Sequence, residues 1–340
     1  MKKITYFAIL FLITTLTTSF ANTISIKDRV RLQHNIENVY WQHRIWPEKN
    51  TTAKPALDQI LPKSAIQEKA VDGLRKTKAL SMLWNRNITP DQLQRELNRM
   101  ASDTKKAEML RELWLALGNN PYRIAEIMAR PILADRLIRN AFNYDSRFHG
   151  RLKDQISQEL KNSPQMRQMS GAYQEVEWIH VDDRRKSIVE TNSVELTSSQ
   201  WSDWLKQLQE IFGTKLQQGQ ISRLQETDDA FYVIAILEKE NNRIKTATVQ
   251  WQKTSFDQWW KNTKDSIPVE ITESSFQYKL PEISGSCADD TWTPMRSIPA
   301  ARVTHTEVWT GTELIVWGGI LGPLNTGGRY DPAIDSWHPI

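Results

Sequence analysis

Phe231-Tyr232-Val233-Ile234-Ala235-Ile236-Leu237 is followed by Asn241-Asn242 and then by Ile244-Lys245-Thr246-Ala247-Thr248-Val249-Gln250-Trp251. β-Branched and aromatic residues crowd both runs and the paired asparagines between them are turn chemistry, so the stretch predicts two strands joined in a hairpin. Working backwards, Gln200 to Phe212 places Trp201, Trp204, Leu205, Leu208 and Ile211 on one helical face, and Glu175 to Val181 alternates in the strand sense before a turn at Asp182-Asp183. Strand, helix and hairpin in that order predict an α+β segment over residues 166–270.

Further upstream the pattern changes to the 3.6-residue period. Val30, Ile36, Val39, Tyr40 and His43 share one side of a helix that stops before Pro47, and a linker runs to about Pro62. Ile66, Ala70, Leu74, Leu80 and Trp84 mark a second helix, interrupted in pattern by Gly73. Thr89-Pro90-Asp91-Gln92 is a helix start: a capping hydroxyl, a proline at the first helical position and a glutamine placed to reach back to the cap. Leu93, Leu97 and Met100 follow as its apolar stripe. Thr104 is the expected cap of the next helix, with Leu110, Leu113, Trp114 and Leu117 inward and Gly118 as its terminator. Asn120-Pro121 and Arg130-Pro131 each predict a further helix start, the second leading into Leu133, Leu137, Ile138 and Ala141. Such short helices are unstable alone in water, so an all-α region is expected over 22–165, its Arg- and Glu-rich faces turned to solvent or to a docking partner.

At the amino terminus, Met1-Lys2-Lys3, the largely apolar run from Ile4 to Leu16 and Ser19-Phe20-Ala21 have the layout of a secretory signal peptide over 1–21. The apolar run is shorter than the ~20 residues of a spanning helix, so no stable membrane span is expected after cleavage. Export to the periplasm or the extracellular space is the expected destination. Loss of Lys2 and Lys3 takes the formal net charge from +4 to +2, and the remaining bases are interleaved with acids, which argues against a nucleic-acid partner. The single cysteine, Cys287, excludes an intrachain disulfide framework and a cysteine-based zinc site. Neither a phosphate-binding glycine loop, nor His-Glu-x-x-His, nor Gly-x-Ser-x-Gly occurs, and no cofactor is expected.

Beyond a linker over 271–287, Asp290-Thr291-Trp292-Thr293-Pro294 returns as Asp335-Ser336-Trp337-His338-Pro339. Between the copies stand a strand-like stretch from Val303 to Trp309, the tetrad Leu314-Ile315-Val316-Trp317, the double glycine Gly318-Gly319, and Tyr330 ahead of Trp337. Order and spacing resemble the kelch repeat, whose period of ~45–50 residues is one propeller blade. The resemblance implies an incomplete all-β blade over 288–340, with Gly318, Gly319, Tyr330 and Trp337 as its motif and binding as its role. His305 and His338 lack metal-site spacing, so no metal is expected. A lone blade leaves apolar faces uncovered, so the repeat reads as the start of something larger, truncated here.

The layout of a signal peptide, helices and then the α+β segment is similar to that of the SurA-type periplasmic folding factors, in which helices precede a parvulin peptidyl-prolyl isomerase domain. On that resemblance His180 matches the histidine of the first parvulin strand and Gly219-Gln220-Ile221-Ser222 the turn before the last strand. Where the family carries a second histidine after an aromatic, Val233 follows Tyr232, and the glycine-rich loop before the substrate pocket has no counterpart. His180 is therefore the one catalytic candidate, and a degenerate parvulin-like segment is expected. Lowering a rotation barrier of ~18–20 kcal/mol needs several polar groups around a dry pocket. Two readings follow. One is an exported non-catalytic binding protein whose partners are proteins or peptides, envelope polypeptides or glycans among them. The other is a periplasmic isomerase and chaperone. Trp251, Phe256, Trp259 and Trp260 offer either a peptide-binding surface or core.

Overall fold

A computed structural model describes residues 23–47, 50, 52–162, 165–181, 193–213, 215–271 and 273–283, together with four strands between 306 and 339. The segment 1–21, Asp182-Asp183, Cys287, the first copy of the repeat at 290–294 and Gly318-Gly319 lie outside the described residues. Among those described, no helix is long and apolar enough to cross a membrane. Helices and a mixed sheet make this an α+β chain.

The helical lobe begins with α1 (Ile26–His43), where Ser25 Oγ accepts the Asp28 amide. The α1 stripe differs from the expected one. Leu32, Ile36 and Val39 are buried, but Arg29 is also inside, while His43 is exposed and meets Glu112 at 2.7 Å. The 47–62 linker contains one short turn of helix, α2 (Leu57–Ile60). Lys54 in that linker donates to the carbonyls of Trp41, Gln42 and Arg44, neutralising the end of α1 where backbone acceptors have no helical partner.

α3 (Lys63–Trp84) runs unbroken through Gly73, because the helix that contains Pro131 crosses there: a Cβ at Gly73 would sit 2.9 Å from Cβ and Cγ of Pro131. The Thr89–Gln92 capping box forms as expected at the head of α4 (Pro90–Asp103). Helix α5 (Ala107–Ala116) starts later than the sequence implies. Lys106 occupies its cap position, and Thr104 Oγ1 instead accepts the Lys106 amide at 3.3 Å. Gly118 takes the left-handed conformation (φ 75°) that a helix terminator needs.

Asn120 caps α6 (Pro121–Ile124), but Arg130-Pro131 does not begin a separate helix. A π-helical turn, Ala125–Ala129, carries the chain without a break into α7 (Arg130–Asn143), with the Arg130 amide donating to the Ala125 carbonyl. Proline has no amide for Ile127 O and its ring crowds that carbonyl in an α-helix. The wider turn relieves the conflict, so the helix continues where the sequence rule predicts a break.

Helix α8 (Ser146–Asn162) leads into the sheet module, whose five strands are ordered β2-β1-β5-β4-β3. β1 (Ala172–His180) pairs in parallel with β2 (Ser193–Leu196) and antiparallel with β5 (Arg243–Gln252), while β4 (Ala230–Lys239) lies between β5 and the short β3 (Gln225–Glu226). Both faces are covered. Val176, Trp178, Ile234, Ile236 and Ile244 pack under α9 (Ser198–Phe212), through Trp201, Trp204, Leu208 and Phe212. Phe231, Val233, Ala247, Val249 and Trp251 pack on the other face against Ile156 of α8, Met166 and Met169. Alternate residues of β4 and β5 are thus divided between the two cores.

After β5 the chain returns to the helices. In α10 (Phe256–Thr263), Phe256 and Trp260 are buried with Leu80, Ile138 and Phe142 and with partly buried Trp84, Phe148 and Trp259. Trp251 and this aromatic group are thus core. Lys253, its side chain 1% exposed, rivets sheet to lobe by donating to Asn143 O at the end of α7, Thr227 O and Glu226 Oε1. A second sheet is an antiparallel meander of β6 (Thr306–Trp309), β7 (Leu314–Trp317), β8 (Gly327–Asp331) and β9 (Ser336–Pro339).

Candidate functional site

His180 ends β1 on the face that α9 covers. Its amide donates to Asn242 O at 2.8 Å, its ring stacks on Trp201 with centroids 5.7 Å apart, and Nε2 lies 3.1 Å from Ser198 Oγ in the first turn of α9. Two residues earlier, Trp178 stacks on Trp204 at 4.8 Å and donates its Nε1 to Thr246 Oγ1. His180 therefore sits at the seam where the end of β1 meets the start of α9, between an indole and a hydroxyl. That arrangement places the first turn of the helix against the end of the strand.

The turn matched to the parvulin resemblance also serves packing. Gly219 (φ 80°) donates its amide to Ile236 O, and Ser222 is tied twice to β4, accepting the Ile234 amide at Oγ and donating its own amide to Ile234 O. Tyr232, half-buried on the α9 side, has its phenol pushed up by burial. Of the residues matched to the kelch repeat by resemblance, Tyr330 and Trp337 face each other across β8 and β9, with centroids 5.2 Å apart, and Tyr330 lies beneath Lys105 Nζ at 5.4 Å. His180 and the Tyr330–Trp337 pair thus belong to separate sheets.

A more site-like arrangement lies on the helical lobe. Residues 275–283 belong to no helix or sheet, yet they lie along the lobe, with inward and outward residues alternating from Phe276 to Leu280. Tyr278 is 7% exposed within the core built from Leu93, Leu97, Ile124, Met128 and Leu133, and Phe276, Leu280 and Ile283 pack against that core. Ser275, Gln277 and Lys279 point outward. The backbone is gripped by a side chain: Gln94 Nε2 donates to Lys279 O (2.9 Å) while Gln94 Oε1 accepts the Lys279 amide (2.8 Å). That amide does what a neighbouring strand would do for one residue, and it is indifferent to the side chain it holds. Arg111 also donates to Ile283 O.

The part of the lobe that seats this segment, termed the groove below, holds a charged and internally paired cluster next to Tyr278. Arg29 and Arg130, 2% and 4% exposed, both bond the Glu126 carboxylate, and Arg29 also donates to the carbonyls of Glu126 and Ile24. Glu126 and Arg130 are brought to one face by the π turn and the start of α7, and Arg29 reaches them from α1. Tyr122, which approaches Tyr278 with centroids 6.2 Å apart, has its phenol pushed up to about 12 by burial and then by the Glu126 charge. The same causes raise Tyr278.

Reading the sequence missed both parts. Residues 271–287 look like a linker because Glu273, Ser274, Ser275 and Pro281 are loop residues, but Phe276, Tyr278 and Leu280 carry the period of two that marks a one-sided extended segment. Arg29, Glu126 and Arg130 look like solvent-facing charges on amphipathic helices. Among the described residues, no group of three or more histidine, cysteine, aspartate or glutamate side chains is placed to hold a metal ion. The fold and the groove define an α+β chain whose helical lobe holds an extended polypeptide segment. Compared with known proteins, the chain matches no family model, no curated protein and no solved structure.

Proposed function

We propose that this chain is an exported, non-catalytic binding protein, in which a folding-factor-like helical lobe and a degenerate parvulin-like sheet module are joined to a kelch-type blade. Its partners are extended polypeptide segments, envelope polypeptides among them. One observation carries the reading: the lobe seats residues 275–283 by apolar side chains at alternate positions and by a side-chain amide on the backbone. Recognition of that kind selects extension and apolarity over a particular sequence, which suits a protein that holds incompletely folded chains. One further feature supports it: His180 faces Ser198 and Trp201 at a packing seam between strand and helix.

The test has two parts. Fluorescently labelled, reduced and carboxymethylated α-lactalbumin, a permanently unfolded probe, is titrated with the protein and followed by anisotropy. In parallel, a protease-coupled assay measures cis/trans conversion of a proline peptide. Saturable binding with conversion at the uncatalysed rate is expected. Absence of binding overturns the binding role, and acceleration that disappears in His180→Ala overturns the non-catalytic assignment in favour of an isomerase.

A further inference from the structure

The groove is occupied by the protein's own chain, and the form of that occupancy bears on how a partner would enter. Resting on the binding role proposed above, we infer that residues 275–283 are a displaceable strap, an intramolecular ligand that closes the lobe's polypeptide site and leaves when another chain takes its place. Four observations lead there. The strap follows the chain's return through α10, outside the helices that build the groove, and residues 275–283 belong to no sheet or helix, so releasing them breaks no ladder. Its backbone is held by side chains, Gln94 at Lys279 and Arg111 at Ile283, and these partners stay behind for any other backbone. Its outward residues, Ser275, Gln277, Lys279 and Glu282, are exposed, so none of the described residues covers the strap's outer side. Finally, the groove does not need the strap for its charges. Arg29, Glu126 and Arg130 satisfy one another and bond the Ile24 and Glu126 carbonyls, leaving the floor paired when Tyr278 departs.

A site closed by its own strap binds an incoming chain with an apparent affinity reduced by the fraction of molecules that are open. Loosening the strap must therefore strengthen binding, and fastening it must abolish binding. The full chain is compared in three forms with the carboxymethylated α-lactalbumin probe. The first is unaltered. The second carries Phe276→Ala and Tyr278→Ala, which weaken the strap and leave the lobe residues intact. The third carries Asn98→Cys, on the exposed residue whose Oδ1 accepts from Gln94 Nε2 beside Lys279, and Lys279→Cys in a Cys287→Ser background, measured before and after joining the two thiols with a short bis-maleimide. The loosened form is expected to bind roughly tenfold tighter than the unaltered one. Bridging is expected to remove binding that the unbridged protein shows, and a synthetic peptide of sequence SSFQYKLPEI is expected to compete with the probe. Equal binding before and after bridging overturns the strap while leaving the binding role standing, as does a loosened protein that remains folded by near-ultraviolet circular dichroism and binds no tighter. Failure of every form to bind, the loosened one included, overturns the binding role itself.

Discussion

Glu126 holds two buried guanidiniums at once, with Oε1 on Arg130 and Oε2 shared between Arg29 and Arg130. Neutralising it leaves two positive charges in a site from which water is excluded. Glu126→Gln is accordingly expected to cost about 3–5 kcal/mol, the range for breaking one side of a buried ion pair, read from urea unfolding. Asp145 shows the opposite regime, a charge near the surface. Hydrogen bonds from Arg147, together with one from Trp84 Nε1, hold its carboxyl at about 2, well below its ordinary value near 3.8. A carboxyl depressed in the folded state stabilises above its unfolded pKa, and that contribution fades as pH falls toward 2. Between pH 4 and 2 Asp145→Asn is expected to lose less stability than the unaltered chain, a difference measurable by thermal melts across that range. Glu175, held at about 2 chiefly by Tyr173 and then by Arg167 and Lys245, adds to the same acid sensitivity.

At the scale of elements, the α3–α7 crossing depends on Gly73 admitting Pro131. Alanine there gains up to about 1 kcal/mol in helix propensity. It also drives a Cβ to 2.9 Å from a rigid ring and 3.0 Å from its Cα, and overpacking of that kind costs about 1–3 kcal/mol. Gly73→Ala is expected to lower Tm by several degrees, and an unchanged or raised Tm would show that the crossing relaxes. The same crossing explains what was legible in the sequence. Capping at Thr89 and Asn120, termination at Gly118 and the β4–β5 hairpin depend on neighbours within a few residues, and each formed where its motif stands. The inward turn of Arg29 and the outward turn of His43 are decided by partners far along the chain: Arg29 meets Glu126, and His43 meets Glu112. No local period encodes those partners. The groove was hidden for the same reason. Phe276, Tyr278 and Leu280 show their alternation, but the lobe that buries them is built from residues between 24 and 133.

Across the whole molecule, the sheet module sits between two contributions to one helical lobe, residues before 163 on one side and 256–283 on the other. α10 docks through Phe256 and Trp260, the strap docks through Tyr278, and Lys253 fastens the sheet's edge to the end of α7. That arrangement makes the lobe the part to which α10, the strap and the sheet's edge are fastened, and the proposed binding groove lies there and away from His180. The most direct test maps where a bound chain lies. Carboxymethylated α-lactalbumin carrying a benzophenone photocrosslinker is irradiated with the protein, and the joined peptides are identified by mass spectrometry. Crosslinks to α4 around Gln94 and to residues 122–133, with the strap displaced, are the predicted result. Crosslinks confined to the β1–α9 seam around His180 and Trp201, or to β6–β9, would contradict the account.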